Sequence, residues 1–136
     1  MSRGSKARAF FDTNIPLYLL SGDARKASLA EDLMAEGGTI SVQVLNEFTA
    51  VARRKHTTPW PKIEVMLGAL KQVCDVEPLT PAVHERAIVL AQRWRIPIYE
   101  AMIAASAFEA GCTVLYSEDF QDGRIVDGMI IRNPFA

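Results

Sequence analysis

Asp12, Glu47, Glu100 and Asp119 stand at the ends of apolar runs or on the apolar faces of helical stretches. A carboxylate in such surroundings needs a compensating charge, and no lysine or arginine recurs beside these four positions in the sequence. Divalent cations bound through oxygen would supply it. Four carboxylates sharing one pocket repel one another, so at least one should hold a proton until a cation arrives, and cation uptake should then release protons. Two hard cations about 3.5 to 4 Å apart can activate a water, clamp a phosphate and stabilise the departing oxygen of an in-line displacement. The chemistry expected of the set is phosphodiester hydrolysis. Ligands that are all oxygen favour magnesium or manganese over zinc, and His56 and His84 are poorly placed to join them.

The elements that must carry these acids follow from periodicity and punctuation. The apolar run Ala9-Phe10-Phe11 stops at Asp12-Thr13-Asn14, and a helical stretch follows over 15–20, so the first acid lies at a strand's C-terminal end. Asp23 caps a second helix over 24–36, Gly37-Gly38 ends it, and 39–41 reads as a short strand. Ser41 caps the third helix, in which Val44, Leu45, Phe48, Val51 and Ala52 form an apolar stripe bordered by Glu47. A Pro-rich turn at 57–61, an amphipathic helix with Ile63, Met66, Leu67, Leu70 and Val73, and a strand over 75–79 come next. Thr80-Pro81 opens a helix whose inner face is Val83, Ala87, Leu90, Ala91 and Trp94. The alanine-rich helix over 99–110 puts Glu100 on the face of Ile103, Ala104 and Ala107. A strand over 113–116 ends in Ser117-Glu118-Asp119, repeating the geometry of the first acid, and 126–131 reads as the last strand. Alternating strands and helices give an α/β fold with a mainly parallel sheet, in which ligands gather at the carboxyl ends of the strands.

The bounds agree. The 136 residues, 49% of them hydrophobic, suit one domain burying about two-thirds of its unfolded surface. A formal net charge of -1 gives no global basic field, so a polyanion must dock on a local basic patch. Cys74 and Cys112 have no metal or redox spacing and read as small buried hydrophobes. A reducing cytoplasm is the compartment expected, and no apolar run is long enough for a membrane span. The basic stretch 2–8 is expected to be frayed.

In order, Phe11-Asp12-Thr13-Asn14, Gln43-Val44-Leu45-Asn46-Glu47-Phe48, Tyr99-Glu100-Ala101-Met102-Ile103-Ala104-Ala105 and Ser117-Glu118-Asp119-Phe120-Gln121-Asp122-Gly123 resemble the successive motifs of PIN-domain ribonucleases, with the VapC-like toxins the nearest subgroup. The likeness runs from about residue 9 to 135 and includes the ending Asn133-Pro134-Phe135. It implies a three-layer α/β/α sandwich around a mainly parallel five-stranded sheet. It also implies Mg2+- or Mn2+-dependent RNA cleavage, homodimerisation, and inhibition by a cognate antitoxin. By position, Asp12, Glu47, Glu100 and Asp119 match the family's metal-binding acids. Asp122 is a candidate auxiliary ligand, and Thr13, Asn14 and Ser117 match positions that hydrogen-bond the carboxylates or a water at the metal. The third acid is most often aspartate in that family. Here it is Glu100, longer by one methylene.

Other residues carry simpler expectations. Arg53, Arg54 and Lys55 suit phosphate contacts, although basic groups at a helix C-terminus also complement its dipole. Glu47 has an alternative partner in Arg53 or Arg54, and Asp122 an alternative role in shaping the turn before Gly123. Glu31, Asp32, Glu64, Glu85 and Glu109 read as solvated helix charges, Trp94 as core, and Trp60 as a residue of a dimer or antitoxin surface. Tyr18, Leu19 and Leu33 are candidate antitoxin contacts, and a basic antitoxin side chain entering the acidic pocket would inhibit without any change of shape. The competing function is a catalytically silent PIN-fold interaction module. A phosphoryl-accepting aspartate is disfavoured, since Asn14 stands where phosphatases of that kind need a second aspartate and Lys71 is the last lysine.

Overall fold

The computed structural model describes residues 8–136, so residues 2–7 of the stretch expected to be frayed lie outside the described residues. Arg8 is held: its carbonyl accepts from the amides of Thr113, at 2.8 Å, and Val114, at 3.2 Å.

The strands are β1 (Ala9–Phe11), β2 (Gly38–Ser41), β3 (Cys74–Glu77), β4 (Val114–Tyr116), β5 (Ile125–Val126) and β6 (Met129–Arg132). The helices are α1 (Asn14–Leu17), α2 (Ala24–Ala35), α3 (Val42–Arg54), α4 (Trp60–Val73), α5 (Pro81–Trp94) and α6 (Ile98–Glu109), with a single 3-10 turn, Tyr18–Leu20, after α1. The sheet order is β3-β2-β1-β4-β6-β5, and every pairing is parallel except β5 with β6.

Connection handedness explains the layers. From β1 to β2 to β3 the chain steps in one direction, so right-handed crossovers carry α1 to α4 over one face. From β3 it returns past β2 and β1 to lay down β4, and the same handedness puts α5 and α6 on the other face. The sheet is thus covered twice, which is why adjacent residues of β1, Phe10 and Phe11, are both buried. Phe48 and Val44 of α3, Ile40, Leu115 and Ile131 complete the centre of the core. Each large apolar side chain so buried contributes about 1.5 to 3 kcal/mol.

The sheet has six strands where five were expected. Residues 126–131, read as one strand, turn back at Asp127 and Gly128, whose φ values of 46° and 87° are the left-handed pair of a tight hairpin turn. Val126 then faces Met129 in an antiparallel ladder. Capping follows expectation: Asp23, Ser41 and Thr80 each accept a backbone amide in the first turn of their helices.

Gly38 serves packing rather than helix termination. A Cβ at that position would lie 2.5 Å from the Phe11 ring and 3.0 Å from the Ala9 carbonyl oxygen. The bare backbone lets β2 close on the ring that precedes Asp12.

Candidate metal centre

The site forms where the chain reverses its course across the sheet. β1 and β4 are neighbours laid down about a hundred residues apart, and the register that pairs Phe11 with Tyr116 sets Asp12 beside Ser117 at the carboxyl ends of both strands. The chain leaves β1 into α1 and leaves β4 through the turn over 117–124, and the crevice lies between these two exits. The Asp12 amide still donates to the Tyr116 carbonyl at 3.0 Å, so the ladder holds up to the acid itself.

Asp12 is 4% exposed. Its Oδ2 accepts from Ser117 Oγ at 2.6 Å and its Oδ1 from the Thr13 amide at 2.6 Å. Burial pushes its pKa up to about 7; the Ser117 and Thr13 hydrogen bonds hold it down, while the charges of Asp119 and Glu47 push it further up. Two good hydrogen bonds are therefore outweighed by desolvation and like charge, and among the described residues no cation corrects the balance.

Thr13 links the first two acids, because its hydroxyl donates to Glu47 Oε1 at 2.8 Å. That bond gives Glu47 a partner in the pocket rather than in Arg53 or Arg54. Asn14 links the first strand end to the second: its Nδ2 donates to Asp119 Oδ2 at 3.1 Å. The Asp119 amide donates to Ser117 Oγ at 3.0 Å, so one hydroxyl serves both strand-end aspartates. Glu100 enters from the first turn of α6, and its pKa is raised, first by burial and then by the charge of Asp119. The four acids thus sense one another, Asp12 through Glu47 and Asp119, and Glu100 through Asp119.

Among the described residues, no three Asp, Glu, His or Cys side chains converge tightly enough to form a closed ligand shell. Repulsion between carboxylates without a counter-charge works against such closure. The donor chemistry nevertheless fits a hard divalent cation. All the candidate ligands are oxygen, and among the described residues the buried Asp12 has no positive partner and the buried Asn14 Oδ1 has no hydrogen-bond donor.

Asp122 lies at the surface, where its Oδ1 accepts from the Asn133 amide at 2.8 Å and braces the turn against the last segment. Arg53 donates to the Thr58 carbonyl at 3.1 Å and lies 4.9 Å from the Trp60 ring centroid; Trp60 is 54% exposed. Arg54 and Lys55 are exposed, roughly 10 Å along α3 from Glu47. Tyr18, Leu19 and Leu33 are half-buried against the core rather than free on the surface. Trp94 is half-buried, and the Arg124 guanidinium lies 3.8 Å from its ring centroid. Glu109 is ion-paired to Arg86 at 2.6 Å instead of simply solvated.

Gln43 is a positioning residue that its motif alone did not expose. Its buried amide donates to the Tyr99 carbonyl at 2.9 Å, tying the start of α3 to the turn that presents Glu100. A polar amide in an otherwise apolar first helical turn was the available signal.

The chain is an α/β domain whose strand-end aspartates, Asp12 and Asp119, are linked across the carboxyl ends of β1 and β4 through Ser117 and Asn14. The PIN-domain family model matches residues 9–124, and the chain belongs to that family. Among solved structures it resembles a toxin-antitoxin complex from Klebsiella pneumoniae, with TM-score 0.72, 25% identity, and coverage of 93% of this chain and 97% of that one. It also resembles VapC20 from Mycobacterium tuberculosis, a toxin that cleaves the sarcin-ricin loop, with TM-score 0.64, 25% identity, and coverage of 83% and 89%. VapBC2 from Rickettsia felis, solved on a DNA fragment from its promoter, shares the fold at 16% identity, TM-score 0.68, and coverage of 92% and 97%. These likenesses make it a VapC-like PIN domain. No curated protein matches the sequence. Among the described residues no helix is long and apolar enough to cross a membrane.

Proposed function

We propose that this protein is a metal-dependent endoribonuclease toxin, active in the cytoplasm and restrained by a cognate antitoxin. The single observation that carries the reading is Asp12: a buried carboxylate coupled to Glu47 and Asp119, pushed up to about 7, with no cation beside it among the described residues. Asp12, Glu47, Glu100 and Asp119 would hold Mg2+ or Mn2+. Bound there, the ion would neutralise the carboxylates, lower the pKa of an attacking water and stabilise charge on the scissile phosphate.

The chain's own residues do the rest. Ser117 and Thr13 orient Asp12, Thr13 aims Glu47, and Asn14 aims Asp119. Gln43 keeps Glu100 within the electrostatic reach of Asp119. An RNA strand lying along α3 would meet Arg54 and Lys55, since Arg53 is already engaged with Thr58 and Trp60.

Antitoxin capture is supported by an apolar groove of about 300 Å³ between α2 and α4, lined by Leu19, Met34, Phe48, Met66, Leu70 and Val73. An amphipathic helix is the partner such a groove accepts. The protein is expected to act as a homodimer, as the family resemblance implies.

The deciding experiment incubates purified protein with total RNA and manganese, with chelator and Asp12→Asn as controls, and maps the new ends. Cleavage at defined positions that needs both manganese and Asp12 supports the reading. Intact RNA under every condition would leave an interaction module as the better description.

A further inference from the structure

Three consecutive residues leaving β4 each reach back to the segment that leaves β1. Ser117 donates to Asp12 at 2.6 Å, and Asp119 accepts from Asn14 at 3.1 Å. Between them, the Glu118 carboxylate accepts from the Tyr18 phenol. The first and third of these links belong to the acidic pocket. The middle one lies outside it, yet it is the most heavily braced.

Lys26 Nζ donates to the Tyr18 phenol oxygen at 3.1 Å and stands 3.7 Å from the other Glu118 oxygen. The same ammonium lies 4.8 Å from the Tyr18 ring centroid and 5.5 Å from that of Phe135. Phe135 in turn packs against Tyr18, with centroids 4.6 Å apart and planes at 60°. Both ends of the Lys26 side are anchored in the backbone: the Lys26 amide donates to the Asp23 cap at 3.0 Å, and the Tyr18 carbonyl accepts from Ser21 Oγ at 2.8 Å. Burial and the neighbouring Glu118 hold the Tyr18 phenol above its usual range, against the opposing pull of Lys26, so it remains a donor. Lys26 has its charge matched by Glu118, which disfavours it as a free phosphate contact.

Glu118 precedes Asp119 directly, so whatever fixes Glu118 fixes the peptide on which Asp119 stands. We propose that Tyr18, Lys26 and Glu118 form a clamp that holds Asp119 toward Asn14 and Asp12 and thereby sets the affinity of the carboxylate pocket for a divalent cation. This rests on the metal-centre reading above and deepens it. The three are positioning residues. Groups that orient metal ligands typically change affinity by about 10- to 100-fold when lost.

The test is manganese titration by calorimetry on metal-free wild type, Tyr18→Phe, Glu118→Gln, the double variant and Asp119→Asn, with melting temperatures taken in chelator. Tyr18→Phe and Glu118→Gln should bind manganese roughly 10-fold more weakly, and the double variant no more weakly than the worse single one. Their chelated melting temperatures should stay within about 5 °C of wild type, and Asp119→Asn should lose binding. Wild-type affinity in both clamp variants, with binding lost in Asp119→Asn, overturns the clamp and leaves the metal centre standing. Wild-type affinity in Asp119→Asn overturns the metal centre itself. A weakened affinity accompanied by a large fall in chelated melting temperature reduces the clamp to a fold-stabilising contact and overturns it too. If Glu118→Gln does not fold, Tyr18→Phe decides alone, because it keeps the ring against Phe135.

Discussion

Ser117 Oγ donates to Asp12 Oδ2 at 2.6 Å across 105 residues of chain, joining two parallel strands at their carboxyl ends. The bond opposes the burial that raises the Asp12 pKa. Ser117→Ala should therefore raise that pKa further, making protons stronger competitors for any cation. Manganese affinity should fall, and the deficit should shrink as pH rises from 6.5 to 8.5. Calorimetric titrations across that range check this, and a deficit independent of pH would contradict it.

Asp12 also predicts an unusual stability profile for the metal-free protein. Its folded pKa of about 7 lies above the ordinary value of 3.8, so the folded state binds more protons than the unfolded state between those limits. The sign is fixed: the Asp12 contribution to stability is full below about pH 4 and is lost as pH rises through 7, and it is of the order of 4 kcal/mol. Asp12→Asn should flatten that part of the profile. It should make the chelated protein more stable at pH 7.5, by ~1 to 2 kcal/mol after repacking costs, while abolishing cleavage. Denaturant melts of both proteins at pH 5.5 and 7.5 provide the measurement.

Gln43→Leu removes the hydrogen bond from α3 to the Tyr99 carbonyl. The isosteric apolar chain keeps the packing, so the expected stability loss is about 1 kcal/mol. Catalysis should suffer more than folding, because Glu100 loses its set position. Comparing kcat on a defined RNA with the unfolding midpoint separates the two.

Gly38→Ala should cost about 1 to 3 kcal/mol, because the new methyl group meets the Phe11 ring and that ring is fully buried. A melting temperature within a degree of wild type would show that the ring can yield.

The legibility of the chain in its sequence was uneven for physical reasons. Helix starts were readable because Asp23, Ser41 and Thr80 cap by local chemistry, and the strand-end acids were readable because Asp12 and Asp119 each interrupt an apolar run. The final hairpin was legible too, in Asp127-Gly128, but a continuous apolar reading of 126–131 passes over that turn. The links of Tyr18 with Glu118 and of Gln43 with Tyr99 join residues 100 and 56 positions apart. Periodicity describes one element at a time and carries no information on such pairs. Gly38 shows the same limit: its neighbour Gly37 has φ of 82° and ends a helix, whereas Gly38 answers to a ring from another strand.

The order of the sheet has a consequence for the life of the molecule. Because β4 slots in beside β1 only after β2 and β3 are laid down on the other side, a nascent chain lacking the segment around Asp119 has Asp12 but no opposing wall. The paired strand-end carboxylates therefore come together only once the segment around Asp119 has been made and β4 has docked beside β1.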